Sequence, residues 1–418
     1  MKSGDKKAMR GDSDQIIHLD YRDFGRWKVE KFARYVDNLL LARRNVDLHT
    51  FRLHWDPHAP LNCNDVRKWI RYAVNHKVKV LDVELCMYDK TSIFTCRSLE
   101  ELNLQWGGAP FRDYEHKGLV LPDIIKLPSL KKLTLRDVEV HELPLESFIA
   151  RSPGLEDLHL IDSAVCLEHI KSKALKRLTI DGSMYGPDRM TISAPNLISF
   201  ECTGFSLEDI SWRDQPSLES ARINTCGRTF GGESRFTGVL VHAKKLALFG
   251  CDMKVMLENE LPTCSVFENL VTLEIGKWHL TKDFYVLLRF LQLSPRLEEL
   301  TLMHRQLDEA AETEGMPTDG MTFQCPFLKS VIIQYSEGDD GIDKLVDVLV
   351  ANGVSSDKIS VTSYEDIKKR AFAENARAEE ERPKQKRAKK NPDWEDDDSD
   401  EQSNPDDPSS DKYDPDDF

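Results

Sequence analysis

The sequence predicts an α/β solenoid: a curved parallel sheet of about 11–12 strands, helices and irregular segments on its convex side, and a disordered C-terminal tail. Three observations carry this. One phrase recurs: Ser294-Pro-Arg-Leu-Glu-Glu-Leu-Thr-Leu302, Ser152-Pro-Gly-Leu-Glu-Asp-Leu-His-Leu160 and Leu127-Pro-Ser-Leu-Lys-Lys-Leu-Thr-Leu135 share their proline and their last three leucines. The last two apolar positions of each phrase alternate as strand residues do. Proline stands two places before the first apolar position at Pro128, Pro153, Pro195, Pro216, Pro295 and Pro326, where a residue that cannot donate to a ladder suits the turn feeding a strand.

Written as φ-x-x-φ-x-φ, the unit starts at Leu48, Val78, Leu99, Leu130, Leu155, Leu175, Leu197, Leu218, Ala243, Leu270, Leu297 and Leu328. Most of the steps between starts fall in the roughly 20–29-residue window of leucine-rich repeats. Beyond the strand, Cys86, Cys226 and Cys251 take the Asn/Cys slot of that repeat, and Val140, Val165, Leu207, Met253, Leu280 and Leu307 the apolar slot after it. Phe200, Cys202 and Ala221 replace leucines in the units at Leu197 and Leu218. Burying three or four aliphatics gains roughly 5–10 kcal/mol, whereas ordering some twenty residues costs roughly 20–40 kcal/mol. No unit stands alone, and the leucines are core residues of a stack.

Along the chain, residues 1–26 read as a flexible N-terminal segment and 27–362 as the leucine-rich-repeat domain. Val29, Phe32, Ala33, Tyr35, Val36, Leu39 and Leu40 have helical spacing, predicting a helical cap over 27–45 that covers the first strand, Thr50–His54. A second helix is expected at about Val66 to Asn75, an inserted loop at Gly107 to Pro122, helices at Asp283 to Leu293 and Ile342 to Leu349, and a closing strand at Lys358 to Thr362. Ser363 is placed to cap an exposed helix over 363–382 that Pro383 ends. Residues 383–418 are low in hydrophobics, a basic and then an acidic tail expected to be disordered.

The net charge of -15 is concentrated at one end: residues 393–418 hold thirteen acids and one base, leaving 59 acids and 56 bases in residues 1–392. A nearly neutral body argues against a nucleic-acid-binding domain. No 18-residue apolar run and no apolar leader core are present, so no membrane span or signal peptide is expected. Nine cysteines, an odd number without a Cys-x-x-Cys pair, read as buried reduced thiols of an intracellular protein.

Three short motifs resemble chemical sites, and each has a plainer structural explanation. His54-Trp-Asp-Pro-His58 offers two imidazoles, but Pro57 forbids a regular helix and no third ligand lies nearby, so no metal is expected. Gly227 to Gly232 lacks the Gly-Lys-Ser/Thr ending of a phosphate loop. Glu100-Glu101 and Glu298-Glu299 are strand neighbours pointing to opposite faces, not an acid–base pair. No catalytic residue and no cofactor is predicted, and the chain is not read as an enzyme.

The predicted functional surface is the concave sheet, where strands in register align their polar positions for a protein target. It comprises Arg52, His54, Asp82, Glu84, Arg136, His159, Asp181, Glu201, Arg222, Asn224, Glu274 and Thr301, with Asn103, Gln105, Thr134, Thr179 and Gln334 in the same rows. A second signal lies in Arg382-Pro-Lys-Gln-Lys-Arg-Ala-Lys-Lys390, six bases in nine residues. Lys384, Lys386, Arg387, Lys389 and Lys390 fit the groove of a nuclear-import receptor, and a solvated charge block is the other reading. The expected location is nucleus and/or cytoplasm.

Phe32-Ala-Arg-Tyr-Val-Asp-Asn-Leu-Leu-Leu41 followed by Leu48-His-Thr-Phe-Arg-Leu53 resembles the segment after the F-box in plant F-box/LRR proteins. Phe267-Glu-Asn-Leu-Val-Thr-Leu273, Phe290-Leu-Gln-Leu-Ser-Pro-Arg-Leu-Glu-Glu-Leu300 and Cys325-Pro-Phe-Leu-Lys-Ser-Val331 resemble its C-terminal, FBD-like part, spanning about 265–362. The resemblance covers roughly residues 27–362. It implies a substrate receptor of an SCF-type cullin–RING ubiquitin ligase, in which an F-box binds the Skp-type adaptor and the repeats hold the target. Residues 1–31 lack the Leu-Pro start and paired helices of an F-box. The expectation is therefore either an N-terminally truncated receptor, its adaptor link lying upstream, or an F-box-less interaction scaffold.

Overall fold

A computed structural model describes residues 15–24, 27–43, 45–54, 63–85, 92–106, 124–184, 190–204, 210–214, 218–225, 237–278, 284–304, 318, 320–336, 341–370 and 373. The chain divides into two units, Met1–Glu365 and Asp366–Phe418. The first opens with β1 (Ile16–Asp20), α1 (Val29–Ala42), β2 (Thr50–His54), α2 (Cys63–Asn75), β3 (Val80–Leu85), β4 (Glu101–Trp106), β5 (Lys132–Arg136), β6 (Glu139–His141) and α3 (Glu142–Ala150). Next come β7 (Asp157–Cys166), β8 (His169–Lys171), β9 (Arg177–Met184), β10 (Met190–Ser193), β11 (Ser199–Thr203), β12 (Ile210–Trp212) and β13 (Ser220–Asn224). The series ends with α4 (Thr237–Leu240), β14 (Lys245–Phe249), α5 (Cys251–Glu260), β15 (Thr272–Trp278), α6 (Tyr285–Leu293), β16 (Glu299–His304), β17 (Ser330–Tyr335), α7 (Ile342–Ala351) and β18 (Ile359–Ser363).

Every one of the twelve repeat units forms a strand, and each strand begins two residues after the unit's first apolar position. The strands run parallel, side by side, in the order β1-β2-β3-β4-β5-β7-β9-β11-β13-β14-β15-β16-β17-β18, with β6 beside β7. Register follows the motif: Leu133, Leu158, Leu178, Phe200, Ala221, Leu246, Leu273, Leu300 and Val331 are successive partners across nine strands. All three φ positions of all twelve units are buried in one continuous core. Backbone bonding repeats as strictly. The amides of Glu100 and Glu101 both donate to the Lys79 carbonyl at 2.7 and 2.9 Å, those of Lys131 and Lys132 to Glu100 at 2.8 and 3.1 Å, and the same pairing recurs down to Lys329 and Ser330 on Glu298.

Unit length selects what covers the inner side of each strand. The units starting at Leu155, Leu175 and Leu197 are 20, 22 and 21 residues long, too short for an α-helical return; among its described residues the 21-residue unit at Val78 holds only the 3-10 turn Ser92–Thr95. Those three units return instead through β8, β10 and β12, which pair into a second parallel sheet of three strands. Units of 25 to 30 residues carry α2, α3, α4, α5 and α6 in the same place. The apolar face of α6, with Val286, Leu287, Leu288, Phe290, Leu291 and Leu293 buried, joins the shared core.

Three expectations need correction. The segment 1–26 is not flexible throughout: β1 pairs parallel with β2, and Tyr21–Phe24 form a 3-10 turn. Ile17 and Leu19 alternate inward opposite Phe51 and Leu53, so apolar burial orders the segment. In consequence the 27–45 helix is not a terminal cap. It is the crossover between β1 and β2, with Phe32, Val36 and Leu40 buried, and Trp69 of α2 donates from Nε1 to Asp37 Oδ1 at 2.8 Å. Third, the sheet holds fourteen consecutive strands rather than 11–12, because β1 and β18 flank the twelve units.

Elsewhere α2, α6, α7 and β18 lie within a few residues of the helices and closing strand read from spacing. Residues 364–370 are helical, directly after Ser363. The 107–122 loop, the glycine-rich 227–232 stretch and the 383–418 tail lie outside the described residues. Among described cysteines, Cys96 and Cys202 are buried, while Cys264 and Cys325 are half-buried. Burial pushes the Cys325 thiol up to about 11. No described helix is long and apolar enough to cross a membrane.

Candidate functional site

On the sheet face opposite the core, the motif leaves three rows, solvent-facing except at a few positions such as Thr50, Ala247 and Phe249: the strand's first residue, the residue between its two core side chains, and the residue after them. The middle row runs His18, Arg52, Asp82, Asn103, Thr134, His159, Thr179, Glu201, Arg222, Ala247, Glu274, Thr301, Ile332 and Ser360 from β1 to β18. The last row includes Asp20, His54, Glu84, Gln105, Arg136, Ile161, Asp181, Thr203, Asn224, Phe249, Gly276, Met303, Gln334 and Thr362. All seventeen residues of the predicted surface fall in these two rows, and each is half-buried or exposed. Parallel register brings together side chains 20 to 34 residues apart in sequence.

Their electrostatics form local pairs, with no single-sign field. Arg52 Nε and His54 Nε2 each lie 3.6 Å from the Asp82 carboxylate. The hydrogen bond to Asp82 raises the His54 pKa against the cost of burial. Burial alone would raise the Asp82 carboxyl, but the hydrogen bond and charge of His54, then Arg52, hold it below the ordinary carboxylate range. Arg136 Nη1 lies 3.6 Å from Asp162, and Gln105 donates to Asp137 at 3.3 Å. Burial first, and the Lys132 charge second, lower the His159 pKa, leaving a neutral imidazole at the centre of the face at neutral pH.

Arg222 reaches over Ala247 on the intervening strand to Glu274, 3.3 Å away, with its guanidinium carbon 5.0 Å from the Phe249 ring centroid. The span depends on Ala247, whose methyl is the only side chain in the middle row between the two charges.

Sequence reasoning missed His18 and Asp20, because β1 was not recognised. It also missed the first row, where Glu101, Lys132, Asp157 and Arg177 alternate in sign across four neighbouring strands. Arg177 grips Asp157 with two contacts of 2.7 Å. The same two-residue alternation that placed the other rows was the available signal. Of the two histidines in His54-Trp-Asp-Pro-His58, from which no metal site was expected, only His54 is described; it faces Asp82. No cluster of three metal-ligating side chains occurs among the described residues. Lys384, Lys386, Arg387, Lys389 and Lys390 lie outside them.

A stack of parallel strands with a continuous core behind and registered polar rows in front defines a leucine-rich-repeat protein built for interaction with other proteins. The chain belongs to the family described as "At1g61320/AtMIF1, LRR domain", whose model matches residues 39–315. It is similar to three Arabidopsis thaliana proteins. The FBD-associated F-box protein At5g38590 is 30% identical over 199 residues, covering 45% of this chain and 41% of that protein. The putative F-box/LRR-repeat protein At3g42770 is 25% identical over 311 residues, 70% of this chain and 56% of that protein. The F-box/FBD/LRR-repeat protein At2g26030 is 24% identical over 383 residues, 82% of each chain. The chain thus spans about half the length of the first two and most of the third, a plant F-box/LRR-like set.

Proposed function

We propose that this chain holds a protein target on the polar face of its sheet and serves as the target-recognition part of an SCF-type cullin–RING ubiquitin ligase receptor. The observation that carries target binding is the register itself, which makes one surface of side chains that no single repeat could present. The ligase role rests on the relatives, each of which carries F-box in its name. A non-ligase interaction scaffold is the second reading. It rests on the same polar face, which can hold a partner without any adaptor link. No catalytic role or cofactor is assigned.

One affinity capture separates these readings. In the Arg136→Ala/His159→Ala/Arg222→Ala variant, the target is lost while folding is retained, because exposed pairs of this kind contribute only about 0–1 kcal/mol each. Undiminished capture rejects the polar face as the binding surface. A Skp-type adaptor recovered with the full-length protein supports the ligase role, and its absence supports the scaffold.

The basic cluster Lys384, Lys386, Arg387, Lys389 and Lys390 is proposed to engage a nuclear-import receptor, giving residence in nucleus as well as cytoplasm. A fluorescent fusion with Lys386, Arg387, Lys389 and Lys390 neutralised then shifts toward the cytoplasm. An unchanged distribution removes the claim.

A further inference from the structure

Among the described residues, the first strand of the sheet has a single sheet neighbour, β2. It is held by Ile17 and Leu19 on the core side and by ladder bonds on one edge. On the polar side His18 and His54 meet edge to face, with ring centroids 5.7 Å apart and an interplanar angle of 81°. The charged and titratable groups around them are Asp20 on β1, Arg22 and Asp23 in the turn after it, Arg52 on β2, and Asp82 and Glu84 on β3. Asp20 is already tied to Arg22 at 2.8 Å, whereas Asp82 faces His54.

We propose that the His18–His54 contact is an acid-operated latch on the edge strand: with one proton on the pair, carried by His54, β1 stays against the sheet, and a second proton, on His18, loosens it. The first proton goes to His54, whose Nε2 has the Asp82 carboxylate opposite it. The second must go to His18, whose own nearby carboxylate is committed to Arg22, and it sets two imidazolium rings against each other with Arg52 alongside. Desolvation first, then the charges of His54 and Arg52, lower the His18 pKa, while the Asp82 hydrogen bond raises that of His54. The window in which His54 is charged and His18 neutral therefore straddles the ordinary histidine value of about 6.5. Below it the folded edge binds a proton less readily than the free strand, so acid weakens it. Above it the His54–Asp82 attraction fades.

The proposal does not depend on the target-binding reading. It is tested by hydrogen exchange of the whole chain, corrected for intrinsic rates, at about pH 7 and about pH 5, comparing the β1 segment with β16 as internal reference. His18 is exposed, so water screens the repulsion, and two charges at this separation weaken protection of β1 roughly three- to tenfold. The wild type is expected to lose that factor in β1 and not in β16. The His18→Gln and His18→Thr variants, which cannot take the second proton, are expected to lose none of it. Equal loss in wild type and variants, or no selective loss in the wild type, overturns the latch.

Discussion

Gly276 shows how much a single residue decides. It sits in β15 at φ 138°, where the register with β16 shifts before Trp278, and a Cβ there would overlap the Met303 carbonyl oxygen of the neighbouring strand. Backbone cannot yield as a flexible side chain does. Gly276→Ala is expected to destabilise the protein by about 3 kcal/mol, combining backbone strain with the clash. Gly353 also has a positive φ, 90°, but open space around it, so Gly353→Ala should cost only about 1 kcal/mol. Urea unfolding midpoints of the two variants measure the difference; equal midpoints would show that strand contact at Gly276 has no special role. Sequence alone marks neither position, because both demands arise from a neighbouring chain segment or a local turn and not from composition. The Arg222–Ala247–Glu274 span was equally hidden: it needs a small residue on a strand between two charged ones, visible only after the strands are aligned.

Elements were legible in proportion to how many motif positions they kept. All twelve units with apolar residues at the first, fourth and sixth places were found, including the unit at Leu218, where Ala221 is the middle side chain. β1 escaped because Asp14 stands where a unit would have its first apolar residue, leaving Ile17 and Leu19 as a pair too short to read. β8, β10 and β12 escaped because runs of three or four residues with one or two buried side chains carry no periodicity. One further element-level feature lies along the strand-entry edge. Lys79, Glu100 and Lys131 are linked at 3.1 and 3.4 Å, Lys176 and Glu156 at 3.0 Å, and Lys244 and Glu219 at 3.0 Å. Each pair is exposed and individually weak, yet the alternation favours the correct strand order over a like-charged one. Glu100→Lys places three lysines in a row and should lower stability by about 0.5–1 kcal/mol at low salt. The loss should vanish near 1 M salt, where the screening length is ~3 Å. A loss independent of salt would assign it to packing instead.

At the scale of the molecule, the repeats have no separate cores: buried residues from Ile17 to Val354 form one cluster. Stability is then shared between neighbours, and the polar face exists only as long as the stack does. Substitutions on that face can change recognition without touching the core, which is why the fold was readable from leucines while the target is not. Binding energy concentrates in a few side chains whose identity the repeat pattern leaves free. The central claim is that this face, and not the helices or the small second sheet behind it, meets the partner. The most direct measurement is the hydrogen-exchange footprint of the chain with and without its captured target. Protection is predicted on β5, β7, β9, β11 and β13, the strands that carry Arg136, His159, Asp181, Glu201 and Arg222. Protection confined to α2, α5, α6 or β8, β10 and β12 would contradict it.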